Sequence, residues 1–179
     1  YSAKLMGTDP VSDIALLKID GGNLPFIPFG NSDDVLTGEW VIAFGNPFGL
    51  FNISDKPTVT VGVVSAVGVK LPASDEHVYR GMIQTDAAIN SGNSGGPLVN
   101  TIGEAIGMNS VIYTPNQGNI GLGFAIPANR IRKIVAELKQ HGKVDRASWT
   151  GLEMQPVDRR IARYFGMDRD RRWERTRLA

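Results

Sequence analysis

The 179-residue sequence contains no cysteine and only two histidines, His77 and His141. Without cysteine the chain has no disulfide, no thiolate nucleophile and no sulfur ligand for zinc, and two histidines disfavour a multi-histidine metal site. The sequence therefore predicts no metal site and no cofactor. It also lacks the uninterrupted run of about 18 apolar residues that marks a membrane-spanning helix.

Positive charge is scarce over most of the chain and accumulates at its end. Residues 1–157 carry 11 Lys and Arg against 14 acidic residues, whereas residues 158–179 carry eight arginines and four acidic residues. A basic segment can contact nucleic acid or a membrane surface. Because acidic residues are interspersed in it, we expect no nucleic-acid partner.

Short β-branched segments bounded by Gly, Pro, Asn or Asp follow one another along the sequence. The predicted strands are residues 11–20, 40–47, 58–69, 81–89, 96–100, 105–113 and 120–127. Repeated short strands with turn residues between them predict an all-β sandwich or barrel. Residues 11–20 are a mostly apolar run that contains Asp13, so we expect a buried strand there.

One segment has helical periodicity instead. Between residues 127 and 142, apolar side chains recur at i, i+3, i+4 and i+7 and so share one helical face. These residues are Ile131, Ile134, Val135 and Leu138. We expect Asn129 to cap the start of this helix and Gly142 to lie just past its end.

The hexapeptide GNSGGP at residues 92–97 is the sharpest local signal. Glycines beside Ser94, between two predicted strands, expose its hydroxyl and let backbone N–H groups converge near it. Acyl transfer needs a hydroxyl nucleophile and donors aimed at the developing oxyanion. A strand follows the turn, unlike the strand–turn–helix elbow of α/β-hydrolases. A plain glycine-rich β-turn is the alternative, and a nucleotide-binding loop is excluded because the P-loop lysine is missing.

A serine nucleophile also requires a base and an acid that orients the base. Asp13 is the best candidate for the acid, because a carboxylate in an apolar segment needs a partner. A strand-edge aspartate that faces water is the alternative. Asp13 precedes Ser94 by 81 residues, but none of the 12 residues before Asp13 is a histidine. His77 lies in a polar stretch and His141 at a predicted helix end, so neither is a credible base.

Several segments, in order, resemble the HtrA (Deg) family of trypsin-like serine proteases. They are DPVSDIALLKID, GEWVIAFGNPFGL, TVTVGVVSA, IQTDAAINSGNSGGPLVN and GLGFAIPANRI, followed by a helix-to-linker segment. The resemblance implies a chymotrypsin-like double β-barrel followed by a PDZ domain. We expect this chain to hold a largely complete second barrel, a C-terminal helix and the start of the PDZ domain. The catalytic histidine and most of the first barrel are expected upstream of Tyr1.

The resemblance also implies catalytic roles. Ser94 would be the nucleophile and Asp13 the acid that orients the missing histidine. The backbone N–H groups of Gly92 and Ser94 would form the oxyanion hole, with Asn93 between them.

Substrate contacts follow from the same resemblance. The strand Asn109-Ser110-Val111-Ile112 would pair with substrate backbone. Ile89, Val111 and Ile112 would line the first specificity pocket, which favours small or medium aliphatic side chains. Ordinary strand core is the alternative for these residues.

The resemblance divides the chain into a trypsin-like protease domain, a linker and a truncated PDZ start with an irregular Arg-rich tail. The limits are residues 1–142, 143–149 and 150–179. Residues 69–81 resemble a regulatory loop of the family, although Val69 stands where an arginine often follows the glycine.

The predicted function is a serine endopeptidase of protein quality control that acts on unfolded protein or peptide substrates. The family implies a trimer-based homo-oligomer and a periplasmic or membrane-associated, extracytoplasmic location. Because the base is missing, we expect this chain alone to be inactive. A protease-dead, peptide-binding or chaperone-like module is the alternative.

Overall fold

The computed structural model describes residues 1–49, 56–72, 77–112, 119–146 and 163–164. The chain divides into two compact units, residues 1–145 and 146–179. The strands and the helix given below belong to the first unit. The predicted PDZ start and Arg-rich tail lie outside the described residues, apart from Arg163 and Tyr164. The domain limits drawn from the sequence stay a prediction.

A two-stranded antiparallel hairpin opens the chain. Strand β1 (Ala3–Asp9) pairs with β2 (Ile14–Ile19), and a 3-10 turn (Pro10–Ser12) joins them. The sequence analysis missed β1, because its pairing register shifts between Leu5 and Gly7 and so interrupts any regular alternation. The strand predicted within residues 11–20 is confirmed over Ile14–Ile19, but the prediction that it is buried was wrong. In β2 only Ile14 is buried, because a two-stranded sheet can cover only part of its surface.

Six further strands close a barrel. They are β3 (Trp40–Gly45), β4 (Thr58–Val69), β5 (Met82–Thr85), β6 (Pro97–Asn100), β7 (Ala105–Ile112) and β8 (Gly123–Pro127). The order around the barrel is β3-β4-β5-β8-β7-β6, and antiparallel pairing of β6 with β3 completes the circle. The prediction of an all-β barrel is confirmed.

The barrel interior is filled by small and branched apolar side chains from alternate positions of the strands. The fully or almost fully buried members are Val41, Ala43, Val64, Ile83, Leu98, Ile106 and Ala125. Strand β5 is shorter than predicted, because Asp86 leaves the ladder and its Oδ1 accepts a hydrogen bond of 2.7 Å from the Val63 N–H.

Helix α1 (Ala128–His141) follows β8 and packs its apolar face onto the barrel and the hairpin. Gly142 ends the helix in the left-handed region, at φ 69°, as predicted. The predicted cap at Asn129 was wrong: the helix begins one residue earlier, so the Asn129 side chain is already inside the first turn. The Asn129 N–H instead donates to the Ser32 hydroxyl at 3.0 Å. Among the described residues, no helix has the length and apolarity needed to cross a membrane.

Candidate active site

The GNSGGP turn is a compact backbone structure between β5 and β6. The Asn93 N–H donates to the Asn90 carbonyl and the Gly96 N–H donates to the Asn93 carbonyl, each at 3.0 Å. Gly92 and Gly95 have positive φ angles of 100° and 86°, which a residue with a Cβ adopts only with strain. A Cβ on Gly96 would collide with the Phe44 carbonyl oxygen. The glycines are therefore required by the shape of the turn.

Strand β7 holds this turn in place. The Gly95 N–H donates to the Asn109 carbonyl at 2.7 Å, and the Asn109 N–H donates to the Gly96 carbonyl at 2.9 Å. The buried Asn109 side chain donates to the carbonyls of Phe44 and Pro97 at 3.3 and 3.4 Å. Asn109, which the sequence analysis assigned to substrate pairing, thus has its backbone groups engaged by the turn.

Ser94 is exposed at the apex of the turn, and its hydroxyl has a defined partner. Ser94 Oγ donates a 2.8 Å hydrogen bond to the Ser110 carbonyl oxygen. In the described part of the chain, no hydrogen bond engages the backbone N–H of Gly92 or of Ser94. Both N–H groups are thus available for a bound acceptor.

Asn93, between these two donors, supports the turn from inside the barrel. It is 2% exposed, and its side-chain amide donates to the Ala88 carbonyl at 3.2 Å. A Cβ placed on Gly45 of β3 would lie 2.6 Å from the Asn93 Cα. The turn and β3 are therefore in close contact, which the absence of a side chain at Gly45 allows. Asn93 therefore fixes where the N–H groups of its neighbours point.

Asp13 lies just before β2 rather than inside a strand as the sequence suggested. It closes the 3-10 turn with its N–H on the Pro10 carbonyl at 3.1 Å, and its φ of 59° lies in the left-handed region. Its half-buried carboxylate oxygen Oδ2 accepts from Ser110 Oγ at 2.6 Å and from the Tyr79 hydroxyl at 3.4 Å. The aspartate is therefore turned toward the barrel.

Ser110 links the two predicted catalytic residues. Its carbonyl accepts from Ser94, and its hydroxyl donates to Asp13. All three line one cleft of about 580 Å³, together with Pro10, Ile14, Met108 and neighbouring residues. The sequence analysis named Ser110 only as part of a substrate-pairing strand. Its contact with Asp13 has a sequence separation of 97 residues, which no local pattern reveals.

The predicted specificity residues meet on the other side of Ser94. Ile89, Val111 and Ile112 line a second concavity of about 370 Å³, together with Asn90, Ser91, Ser94 and Ser110. Ile89 is buried, whereas Val111 and Ile112 are half-buried and available for contact. The walls of this concavity carry no charged side chain among the described residues.

The two histidines occupy other positions. His77 Nδ1 lies 2.7 Å from the Pro10 carbonyl oxygen, and its ring is 5.6 Å from that of Tyr79. His141 is exposed in the last turn of α1. Residues 73–76 of the predicted regulatory loop lie outside the described residues.

Tyr79, which contacts Asp13, has a displaced pKa. Burial raises the pKa of the Tyr79 phenol above its ordinary value, and the nearby Asp13 carboxylate raises it further. A phenol with an ordinary or raised pKa is protonated at neutral pH, so the Tyr79 hydroxyl can serve as a hydrogen-bond donor. The sequence analysis did not single out this residue.

Comparison with known proteins identifies the family of the chain. A family model described as the trypsin-like peptidase domain matches residues 1–108. The chain is 50% identical over 169 residues to a probable periplasmic serine endoprotease DegP-like of Marinomonas sp. (strain MWYL1), a match that covers 94% of this chain and 34% of that protein. The protein of the same name from Chlamydia muridarum (strain MoPn / Nigg) is 45% identical over 171 residues, with 94% and 32% covered. The chain thus spans about a third of the length of these relatives.

Solved structures lead to the same family. The HtrA-type protease AlgW with decapeptide has a TM-score of 0.77 at 42% identity, over 92% of this chain and 48% of that chain. The serine endoprotease from Yersinia pestis has a TM-score of 0.64 at 40% identity, over 79% and 46%. The chain therefore belongs to the trypsin-like peptidase family, and its relatives within that family are HtrA-type serine proteases.

Proposed function

We propose that this chain carries the nucleophile and the orienting acid of a serine endopeptidase. Ser94 is the nucleophile and Asp13 is the acid. The observation that carries the proposal is the double role of Ser110, which bonds Ser94 through its carbonyl and Asp13 through its hydroxyl. Nucleophile and acid are thereby held at one cleft although they come from different parts of the chain.

The general base is a histidine supplied by the full-length protein. In the described structure the Ser94 hydroxyl donates a hydrogen bond to the Ser110 carbonyl oxygen, which is too weak a base to remove the proton. During catalysis the histidine would take this proton while Ser94 Oγ attacks the substrate carbonyl. Asp13 would orient that histidine and stabilise its charged form.

The developing oxyanion would be stabilised by backbone donors. The N–H groups of Gly92 and Ser94 have no acceptor within the described residues, and Asn93 fixes their position from the barrel interior. Donors that are already oriented cost no rearrangement as charge develops. Removal of one such donor typically lowers kcat by about 10²- to 10³-fold.

The substrate is an unfolded protein or peptide with a small or medium aliphatic side chain before the cleaved bond. Ile89, Val111 and Ile112 give the pocket beside Ser94 apolar walls. Residues 110–112 at the end of β7 would pair with the substrate backbone. AlgW, a similar protein, is described with a bound decapeptide.

The curated relatives are named periplasmic serine endoproteases. We extend that location to this protein, together with a role in protein quality control and a trimer-based assembly. A peptide-binding module that does not cleave is the rival function. Its support is the resting hydrogen bond of Ser94 to a carbonyl rather than to a base.

Labelling with a fluorophosphonate probe tests the proposal. The probe is applied to this chain and to the full-length protein, each with a Ser94→Ala variant. The matched control is Ser91→Ala, which removes a second exposed hydroxyl beside the same pocket. We expect label only on the full-length protein, lost in Ser94→Ala and kept in Ser91→Ala. If the folded full-length protein is not labelled, the peptide-binding function replaces the peptidase.

A further inference from the structure

A short segment before β5 runs alongside the turn that carries Asp13. His77 Nδ1 lies 2.7 Å from the Pro10 carbonyl oxygen. The Val78 N–H donates to the Val11 carbonyl at 2.9 Å. The Tyr79 hydroxyl donates at 3.4 Å to Oδ2 of Asp13, which lies two residues after Val11 in the turn. Three successive residues, 77 to 79, thus contact residues 10, 11 and 13 in order.

Arg130 of α1 fastens the same two segments together. Its Nη1 donates to the Arg80 carbonyl at 2.8 Å, and its Nη2 donates to the Val78 carbonyl at 3.2 Å. Nη2 also donates to the Ser12 hydroxyl at 3.0 Å. One guanidinium therefore bonds the segment 77–80 on one side and the residue next to Asp13 on the other.

Asp13 needs such support because its backbone is in a disfavoured conformation. A left-handed φ of 59° is uncommon for a residue with a Cβ. Strained residues of this kind persist only where their surroundings over-determine them, and they cluster at active sites. The contacts from residues 77–80 and from Ser110 restrain both the backbone and the carboxylate of Asp13.

The phenol of Tyr79 is suited to donate to a carboxylate. It is partly buried and contacts Asp13 and Ser110, and the His77 ring lies at a tilt to it with the ring centroids 5.6 Å apart. Burial and the Asp13 charge raise its pKa, and a phenol with an ordinary or raised pKa is protonated at neutral pH. Asp13 Oδ2 thus accepts from two hydroxyls that approach from different elements, Ser110 on β7 and Tyr79 before β5.

We propose that Tyr79 is a positioning residue that, with Ser110, holds the Asp13 carboxylate in the orientation that catalysis requires. The proposal rests on the proposed function, in which Asp13 is the acid. It assigns to the segment 77–80 a role in placing the acid, separate from the turn that carries the nucleophile.

The contact is tested first on this chain, without any assay of activity. Tyrosine labelled with ¹³C at Cζ reports the titration of Tyr79, which is assigned through its loss in Tyr79→Phe. We expect Asp13→Asn to lower the pKa of Tyr79, because the negative charge that disfavours the phenolate is removed. Asp34→Asn removes an equal charge from an exposed turn and should leave the titration unchanged. An unchanged pKa in Asp13→Asn would overturn the contact and with it the proposal.

The positioning role is tested on the full-length protein with a peptide substrate. Tyr79→Phe removes only the hydroxyl, and we expect kcat to fall about three- to tenfold with KM unchanged. The effect is modest because the bond to the carboxylate is long, at 3.4 Å, and the bond from Ser110 remains. Tyr1→Phe removes the same hydroxyl from a tyrosine that is 85% exposed and away from the cleft, and it should keep the parental kcat. Retention of the melting temperature in Tyr79→Phe excludes loss of fold as the cause.

The outcomes separate this inference from the function on which it rests. An unchanged kcat in Tyr79→Phe overturns the positioning role, while Ser94 labelling stands unaffected. A rise in KM of the same three- to tenfold size, with kcat unchanged, would indicate that Tyr79 contacts the substrate. That result would also overturn the positioning role. If the full-length protein is not labelled at Ser94, the proposed function fails, and the Tyr79 titration still reports whether the contact exists.

Discussion

The barrel and the N-terminal hairpin differ in how fully their strands are hydrogen-bonded and buried. Each barrel strand is hydrogen-bonded on both sides, and Leu98 at its centre is 0% exposed. The hairpin has two strands, and its directly paired Leu5 and Leu17 are each 57% exposed. A closed barrel thus buries its own apolar residues, whereas a hairpin of this size relies on other surfaces.

The candidate site is shared between these two regions, so its two predicted catalytic residues are supported differently. Ser94 and its backbone donors lie on a turn whose contacts come from the barrel itself. Asp13 lies at the base of the hairpin, and its position depends on contacts that cross to β7, to α1 and to the segment before β5. The proposed nucleophile is therefore held by the more fully hydrogen-bonded and buried region, and the proposed acid by the more exposed one.

Substitution of matched leucines gives the largest expected effect. Leu98→Ala should lower the free energy of unfolding by about 2–5 kcal/mol, because it leaves a cavity in a packed interior. Leu17→Ala should change it by less than about 0.5 kcal/mol, because this side chain is mostly in solvent. Urea denaturation of both variants measures the difference. Equal losses would contradict the comparison and indicate that the hairpin face is covered in solution.

Two glycines allow a smaller, local test of the turn that carries Ser94. Gly96→Ala places a Cβ against the Phe44 carbonyl, so we expect a loss of about 1–3 kcal/mol through forced movement of the backbone. Gly22→Ala has nothing within 4 Å of the added Cβ and should be close to neutral. Thermal unfolding of the pair measures both. A neutral Gly96→Ala would show that β3 does not restrain the turn.

The sequence was a good guide to the barrel for a physical reason. Its strands alternate or run apolar between turn residues, and Ser94 lies in a turn whose glycines are each needed locally. The start of the helix was misplaced because its cap comes from Ser32, which is 97 residues from Asn129. Strand β1 was missed because Gly7 and the register shift beside it interrupt the pattern.

Contacts between distant segments were beyond the reach of local patterns. Asp13 was recognised as a carboxylate in need of a partner, but its partners lie 66 and 97 residues away. Nothing in the vicinity of Tyr79 or Ser110 indicates that they meet the same oxygen atom. Residue type and spacing therefore singled out the proposed nucleophile, whereas the contacts that support the proposed acid required three-dimensional structure.

The smallest effect concerns the point where the hairpin meets the helix. Gly142 ends α1 with a φ of 69°, and its carbonyl oxygen would lie 2.5 Å from a Cβ placed on Gly7 of β1. We expect Gly142→Ala to cost about 1–2 kcal/mol, because a Cβ disfavours the left-handed conformation. Gly142→Asn should cost less, since asparagine tolerates that conformation better. Urea midpoints of the two variants measure the order.

This last pair also shows whether the hairpin depends on the helix end. If Gly142→Ala shifts the backbone, the Gly142 carbonyl moves against Gly7, and hydrogen exchange should become faster in β1 and β2 while the barrel stays protected. Because Asp13 belongs to the hairpin side, its contact with Ser110 should weaken in the same variant. Equal acceleration in the barrel would mean that the two regions unfold as one unit, and the acid would then be as firmly held as the nucleophile.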